Sequence, residues 1–135
     1  RSSVAWAKTT AELQKAVRSR IFDKVTFVTG LPASGKSTWV ERFEEEWVVY
    51  LVDADLVGRG LREKMITLIR ESDKEIPITI VFLDTNKTVC LERNSKRTPD
   101  RIIPLGAYRE MGSVFCYPST EEGFCHIHFK SNFSI

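Results

Sequence analysis

Long apolar runs are missing from this chain of 135 residues, and cysteine is scarce. No stretch approaches the ~20 consecutive apolar residues that a membrane-spanning helix needs, and no signal-peptide pattern opens the chain. The three cysteines, Cys90, Cys116 and Cys125, follow no metal-ligand spacing, so we expect them to be small buried hydrophobic residues. We therefore expect no membrane partner and an intracellular, reducing compartment, either the nucleus or the cytoplasm.

An excess of one charge is also lacking, and histidine is rare. The 20 basic and 18 acidic residues leave a net charge of +2 and a pI of about 8.5, which permits an anionic partner without requiring one. The two histidines, His126 and His128, alternate on a predicted strand without a third ligand, so we interpret them as structural. Because the first residue is Arg1 rather than Met, we expect a piece of a longer protein.

What is present is the composition and patterning of one α/β domain. Hydrophobic residues make up 42% and charged residues 28%, as in ordinary globular proteins. The predicted helices are 9–20, 36–46, 61–71, 89–96 and 103–114, and the predicted strands are 25–29, 47–52, 76–83 and 124–129. We interpret residues 1–24 as an N-terminal helical segment or linker, capped by Thr10, and residues 25–135 as the domain. The alternation predicts three layers around a mostly parallel sheet.

The strongest motif lies between a predicted strand and a predicted helix. Its residues are Gly30, Leu31, Pro32, Ala33, Ser34, Gly35, Lys36 and Ser37, which fit G-x-x-x-x-G-K-[ST] and precede Thr38. The glycines allow backbone conformations that a Cβ would block, so the loop's N–H groups can turn inward to phosphate oxygens. Lys36 supplies a charge for the β- and γ-phosphates, and Ser37 offers a hydroxyl to Mg²⁺. We expect residues 30–38 to bind ATP with Mg²⁺ in a P-loop NTPase fold.

Two acidic residues follow the second predicted strand. Asp53 comes directly after the apolar run 48–52, at the carboxyl edge of the sheet, where ligands of open α/β sheets bind. A carboxylate there can order the Mg²⁺ shell or accept a proton from an attacking hydroxyl. Asp55 points the same way if the extended backbone continues. The alternative for both is that they end a strand or cap the next helix.

A basic segment late in the chain supplies two more candidates. Arg93 and Arg97 are four residues apart and share one face if the helix continues that far. Two guanidinium groups there can bind a transferring phosphate and exclude water as a lid. The alternative is a solvated basic helix end, which the helix dipole favours.

Together these segments resemble the 5′-hydroxyl polynucleotide kinase domains of DNA- and RNA-end repair enzymes, over residues 25–133. The matching pieces are GLPASGKSTW at 30–39, VVYLVDADL at 48–56, LERNSKR at 91–97 with Ile103-Pro104, and the array Tyr108, Arg109, Met111, Phe115, Pro118, Glu122, Gly123 and Phe124. The last array is the most specific piece.

The resemblance implies transfer of the γ-phosphate of ATP to the 5′-hydroxyl end of a nucleic acid. It implies that Lys36 and Ser37 hold phosphate and Mg²⁺ with Asp53 beside them. It also implies that Arg93 and Arg97 form a lid, with Arg97 as the preferred phosphate contact. A fused phosphatase or other repair domain outside this stretch is compatible with it.

One part of the family pattern is absent. These kinases carry a general-base aspartate in an N-x-D-type motif, followed by an arginine, between the loop helix and the strand that ends here at Asp53. Residues 44–46 instead run directly into the strand 47–52, without Gly, Pro or Asn. Either the turn is tighter than the sequence indicates, or residues are missing near 46–47. If the base is truly lost, the chain should bind nucleotide but phosphorylate poorly.

Two other functions stay open on the sequence. A P-loop kinase for a small metabolite shares the glycine motif but does not need the array at 108–124. A degenerate nucleotide-binding module is suggested by the missing base. The motif also does not distinguish ATP from GTP, nor DNA from RNA.

Overall fold

The computed structural model of the chain describes residues 3–131 and 133. The described strands are β1 (Ala5–Ala7), β2 (Lys24–Thr29), β3 (Val48–Val52), β4 (Ile78–Asp84) and β5 (His126–Ser131). The described α-helices are α1 (Thr10–Arg18), α2 (Lys36–Phe43), α3 (Arg59–Ser72), α4 (Lys87–Ser95) and α5 (Leu105–Val114). Short 3₁₀ helices lie at Ala54–Val57, Pro99–Arg101 and Thr120–Glu122. In this part of the chain, no helix is long and apolar enough to cross a membrane.

The five described strands form one sheet, parallel throughout, in the order β1-β3-β2-β4-β5. The prediction of an α/β domain with a mostly parallel sheet is therefore confirmed. Because β2 and β3 are neighbours, the residues that follow them meet at the carboxyl edge of the sheet. The backbone N–H of Asp53 donates to the Val28 carbonyl at 3.1 Å, and the Thr29 hydroxyl donates to the Asp53 carbonyl at 2.7 Å.

Helices cover both faces of the sheet, an arrangement compatible with three layers. On one face, Leu13 of α1 and Ile69 of α3 pack in a cluster with Phe27 of β2. On the other face, Val40 of α2 packs in a second cluster with Tyr50 of β3. Burial on both faces explains why the central strands are almost continuously apolar in sequence.

The connection between α2 and β3 has four residues, 44–47, and not the direct junction at 46–47 that the sequence suggested. The helix ends at Phe43, and Trp47 takes a left-handed backbone conformation, with φ of 64°, immediately before β3. The N–H of Trp47 donates to the Ser3 carbonyl at 2.8 Å, and its carbonyl accepts from the N–H of Asp23 at 2.7 Å. These bonds hold a conformation that a bulky residue rarely adopts. The turn is thus made by a tryptophan where a glycine would be expected.

The N-terminal segment contributes a strand that the sequence did not predict. β1 pairs in parallel with β3, with Ala7 opposite Leu51, and so forms the edge of the sheet. The helix that follows begins with Thr9 as its cap, rather than the expected Thr10, because the Thr9 hydroxyl accepts from the N–H of Glu12 at 3.1 Å. Residues 5–18 are therefore packed into the same sheet and core as the rest of the chain.

One expectation about burial was wrong. Cys90 is buried as expected, but Cys116 and Cys125 are exposed. Trp47 is 38% exposed, and its left-handed turn lies outside the sheet. His126 and His128 stand side by side on β5 with ring centroids 4.4 Å apart, as their alternation predicted.

Candidate functional site

The loop between β2 and α2 has a backbone that requires its glycines. Gly30 has φ of 154°, Ala33 of 65° and Gly35 of 105°. A Cβ on Gly30 would lie 2.6 Å from the Leu83 carbonyl oxygen, so no other residue fits there without moving β4. Gly35 caps α2 without a side chain, which leaves the first N–H groups of the helix to a ligand.

Lys36 folds back over the loop that precedes it. Its Nζ donates to the carbonyls of Gly30 and Leu31, at 3.2 and 2.9 Å. Burial, followed by the charge of Arg97, lowers the pKa of Lys36 to about 8, while Asp53 and Asp55 partly oppose this. A cation that is this poorly solvated gains strongly from an anion placed beside it.

Side chains from distant parts of the sequence brace the loop. The Tyr108 hydroxyl donates to the Pro32 carbonyl at 2.7 Å, and the Thr85 hydroxyl donates to the Ser34 carbonyl at 3.0 Å. Tyr108 is buried, and burial raises its pKa to about 12, so the phenol stays a donor. The Tyr108 of the C-terminal array therefore has a structural part in shaping the loop.

Four cationic side chains meet beside the start of α2. They line a cavity of about 300 Å³ whose described walls are Ala33, Gly35, Lys36, Ser37, Thr38, Arg93, Arg97 and Arg101. Arg101 was missed in the sequence, although it continues the four-residue spacing of Arg93 and Arg97. The cavity unites most of the predicted nucleotide-binding residues with both predicted lid arginines. Such a cluster of cations suits a ligand with several negative charges.

Of the predicted nucleotide-binding residues, four lie outside that cavity: Gly30, Leu31, Pro32 and Ser34. Gly30 and Pro32 act through the backbone, as the close approach to β4 and the bond from Tyr108 show. Leu31 lines a neighbouring cavity of about 380 Å³ with Asp84 and Phe115.

The two lid arginines differ in how firmly they are held. Arg93 donates to the carbonyls of Ala33 and Ser34 at 3.4 Å each, and to that of Phe133 at 3.1 Å. Arg97 lies beyond the end of α4, rather than on its face, and donates to the Arg101 carbonyl at 3.4 Å. Arg93 therefore supports the loop, whereas Arg97 is freer to turn toward a ligand.

Asn94 sets the shape of the segment 95–103 and was not recognised in the sequence. This buried side chain donates to the Ile103 carbonyl at 2.8 Å and accepts from the Ile103 N–H at 2.9 Å. The paired bonds close the segment that carries Arg97 and Arg101. The sequence showed only an asparagine among charged residues, and its burial comes from the fold.

Asp53 has the capping role that the sequence left open as an alternative. Its Oδ1 accepts from the N–H of Asp55 at 2.8 Å, so it caps the 3₁₀ helix Ala54–Val57. Desolvation raises the pKa of Asp53 above its ordinary value, the Asp55 N–H opposes that, and the Lys36 charge opposes it more weakly. Asp53 does not line the cationic cavity, but it acts electrostatically on Lys36 from the end of the neighbouring strand.

A buried ion pair supports the Asp53 side of the site. Arg62 and Glu122 have side chains that are both 0% exposed, and they are joined by two bonds of 2.7 and 3.1 Å. Arg62 also donates to the Leu56 carbonyl at 2.9 Å, which fixes the segment after Asp53. The Glu122 of the C-terminal array thus holds the fold together, with Ser119 N–H as a further donor at 2.9 Å.

Among residues 3–131 and 133, no three His, Cys, Asp or Glu side chains cluster as metal ligands. Mg²⁺ needs no such cluster, because it keeps several waters and binds through substrate phosphates and one or two protein oxygens. No protein-family model matches the chain, and no curated protein matches its sequence.

Proposed function

We propose that this chain has a P-loop NTPase fold and transfers the γ-phosphate of ATP to the 5′-hydroxyl end of a nucleic acid. The observation that carries the proposal is the convergence of Lys36, Arg93, Arg97 and Arg101 beside the uncapped start of α2. Four cations and free N–H groups suit a triphosphate better than a single phosphate or a neutral ligand.

The residues of the cavity fit ATP with Mg²⁺. Lys36 and the N–H groups of the loop bind the β- and γ-phosphates, and the exposed Ser37 offers a hydroxyl oxygen to Mg²⁺. When bound, Mg²⁺ neutralises charge on the phosphate oxygens. Phosphate binding turns Lys36 away from the carbonyls of Gly30 and Leu31, which are its partners here.

Asp53 is our candidate for the proton acceptor. A bond forms between the 5′ oxygen and the γ-phosphorus, the bond from that phosphorus to the ADP oxygen breaks, and the hydroxyl proton passes to Asp53. Its raised pKa makes Asp53 a better base than an ordinary aspartate. Arg97 stabilises the charge that develops on the transferring group.

The nucleic-acid acceptor rests on the resemblance of the C-terminal array. Tyr108 of that array braces the loop, and Glu122 holds Arg62. These two contacts shape the phosphate site for any acceptor, so the acceptor must be identified by experiment. The deciding experiment is incubation of the protein with ATP labelled at the γ-phosphate, Mg²⁺, and either a 5′-hydroxyl oligonucleotide or free nucleosides and sugars. Label on the oligonucleotide supports the proposal, and label only on small acceptors overturns it.

A degenerate nucleotide-binding module is the second candidate, and the α2–β3 connection favours it. Two of the three carboxylates in this connection are engaged elsewhere, since Glu44 accepts from Trp6 at 3.0 Å and Glu45 pairs with Lys24 at 3.1 Å. Neither replaces the base that the family carries between these elements. This candidate would be selected if the wild-type protein melts cooperatively and binds ATP but transfers phosphate to no acceptor.

Arg97→Ala should lower kcat by about 10²-fold, and Arg93→Ala should lower it less. Arg97 is free to contact the transferring phosphate, whereas Arg93 is occupied by three carbonyls. For the same reason, Arg93→Ala should lower the melting temperature more than Arg97→Ala. Steady-state kinetics and thermal melting of both variants check this. Equal and small effects on kcat would mean that neither arginine contacts the transferring phosphate.

Asp53→Asn should lower kcat by about 10²-fold and leave ATP affinity nearly unchanged. Asparagine still caps the 3₁₀ helix but cannot accept the proton. Since only ionised Asp53 accepts a proton, wild-type kcat should fall as pH drops through its raised pKa, at a higher pH than an ordinary aspartate would give. The variant should lack this acid limb in a kcat–pH profile.

Asp55→Asn is the matched control for Asp53, because Asp55 is also an exposed acid, two residues away. It should keep kcat and an acid limb, which moves to lower pH because the Asp55 charge contributes to the raised pKa of Asp53. An Asp55→Asn variant that loses both, beside an active Asp53→Asn variant, would mean that the other acid is the base.

A further inference from the structure

A second cavity borders the proposed phosphate site on the side of β1. Its volume is about 340 Å³, and its described walls are Trp6, Ala7, Lys8, Ser37 and Val52. It shares Ser37 with the cationic cavity, so the two sites meet at the proposed Mg²⁺ ligand. The three arginines lie only on the other side of that residue. A group that enters the second cavity therefore approaches the γ-phosphate from the side away from the lid.

The register of the edge strand places Lys8 on the face of the sheet that α2 covers. Ala7 pairs with Leu51, so Lys8 follows at the level of Val52. Alternate residues of a strand share a face, and Trp6, Tyr50 and Val52 pack in the cluster with Val40 of α2. Lys8 is thus a cation on the side of the sheet from which the second cavity reaches Ser37.

The Lys8 ammonium is available to a ligand. Lys8 is exposed, and within the described residues no ion pair engages it. The nearest acid along the chain, Glu12, accepts from the backbone N–H of Lys8 at 2.9 Å and lies 3.5 Å from the Thr9 hydroxyl. The Glu12 carboxylate is therefore engaged by the helix cap rather than by the ammonium.

We infer that the cavity walled by Trp6, Lys8, Ser37 and Val52 receives the 5′-terminal nucleotide of a single-stranded acceptor, and that Lys8 binds its first phosphodiester. This deepens the proposed function and rests on it. Trp6, Ala7 and Val52 offer apolar walls to the nucleoside, and Lys8 supplies the one charge the acceptor's first phosphate needs. A small neutral acceptor would gain nothing from that charge, so Lys8 is a specificity residue for nucleic acid.

The test measures binding of a single-stranded 5′-hydroxyl oligonucleotide, labelled at its 3′ end, by fluorescence anisotropy at several salt concentrations. Lys8→Ala should weaken binding about tenfold and lower the slope of log K against log salt concentration by about 0.7, the value for one single-strand phosphate contact. Lys8→Arg should keep most of the affinity. Lys64→Ala, which removes an exposed lysine on α3, should change neither quantity.

An oligonucleotide with a neutral methylphosphonate in place of the first phosphodiester completes a double-mutant cycle with Lys8→Ala. The methylphosphonate should weaken binding to the wild-type protein about as much as Lys8→Ala does, and it should weaken binding to the variant no further. In turnover, Lys8→Ala should raise KM for the oligonucleotide and leave KM for ATP unchanged. Additive losses from the methylphosphonate and from Lys8→Ala would overturn the contact.

The two proposals fail in different ways. If the wild-type protein transfers phosphate to the oligonucleotide and Lys8→Ala binds and turns over like Lys64→Ala, the assignment of Lys8 is wrong and the proposed function stands. If the wild-type protein transfers nothing, the proposed function fails. In that case the methylphosphonate cycle still decides whether Lys8 contacts the first phosphate.

Discussion

Lys36→Ala is expected to lower γ-phosphate transfer about 10³-fold without unfolding the protein. Lys36 is the cation nearest the loop that would hold the β- and γ-phosphates, and removal of one such preorganised donor has effects of this order. Turnover of a 5′-hydroxyl oligonucleotide, measured beside a melting curve, checks it. Near wild-type turnover would mean that Lys36 does not bind the phosphates and that the proposed phosphate site is wrong.

The direction of the stability change in Lys36→Ala follows from the pKa of Lys36. The pKa of Lys36 is about 8 in the folded protein, against 10.5 for an ordinary lysine, so the unfolded chain holds the proton more tightly. At pH 7 the charged lysine therefore disfavours the folded state, and this cost fades as pH rises from about 8 to 10.5. Lys36→Ala should keep or raise the melting temperature at pH 7. A large drop would mean that the loop needs the lysine to fold.

Glu122→Ala should lower the free energy of unfolding by about 3–5 kcal/mol, the cost of leaving a buried charge without its partner. The partner is Arg62, whose side chain is 0% exposed and would keep one bond, to the Leu56 carbonyl. The substitution also removes the carboxylate that accepts from the Ser119 N–H. Urea unfolding of the variant and the wild type measures the difference.

Two controls separate burial from charge. Glu63→Ala removes the acid of the exposed Arg59–Glu63 pair, and it should cost at most about 0.5 kcal/mol. Replacing Arg62 and Glu122 together by leucine should cost less than Glu122→Ala alone, since no charge is then left buried. If the double replacement were the more damaging of the two, the guanidinium's bond to Leu56 would be the dominant interaction.

The sequence predicted the elements whose signal is local. The apolar strands at β2, β3 and β4 and the glycine loop were found within a few residues, because periodicity and glycine spacing report on neighbours along the chain. β1 was missed because three residues are too few to show a period. Its pairing with β3 depends on residues more than forty positions away.

The candidate site was predicted where a motif carried it and missed where tertiary contacts carried it. Arg62 lies in a charged stretch of α3 that is typical of a solvated surface, and only the fold brings Glu122 against it. The role of Asn94 does not show in helical or strand periodicity, because its two bonds go to Ile103, nine residues along the chain. Arg97 was placed on a helical face, but α4 ends two residues before it.

The three-residue edge strand also protects β3. β3 is a run of five apolar residues, and without β1 its outer row of backbone N–H and C=O groups would be open to strands from other molecules. A short strand at the rim of a sheet is among the first parts of a domain to open locally. Detachment of β1 would withdraw Lys8 and expose an unpaired strand edge in the same event. Self-association of this protein should therefore rise with the opening of residues 5–7, and a ligand that holds Lys8 in place would suppress it.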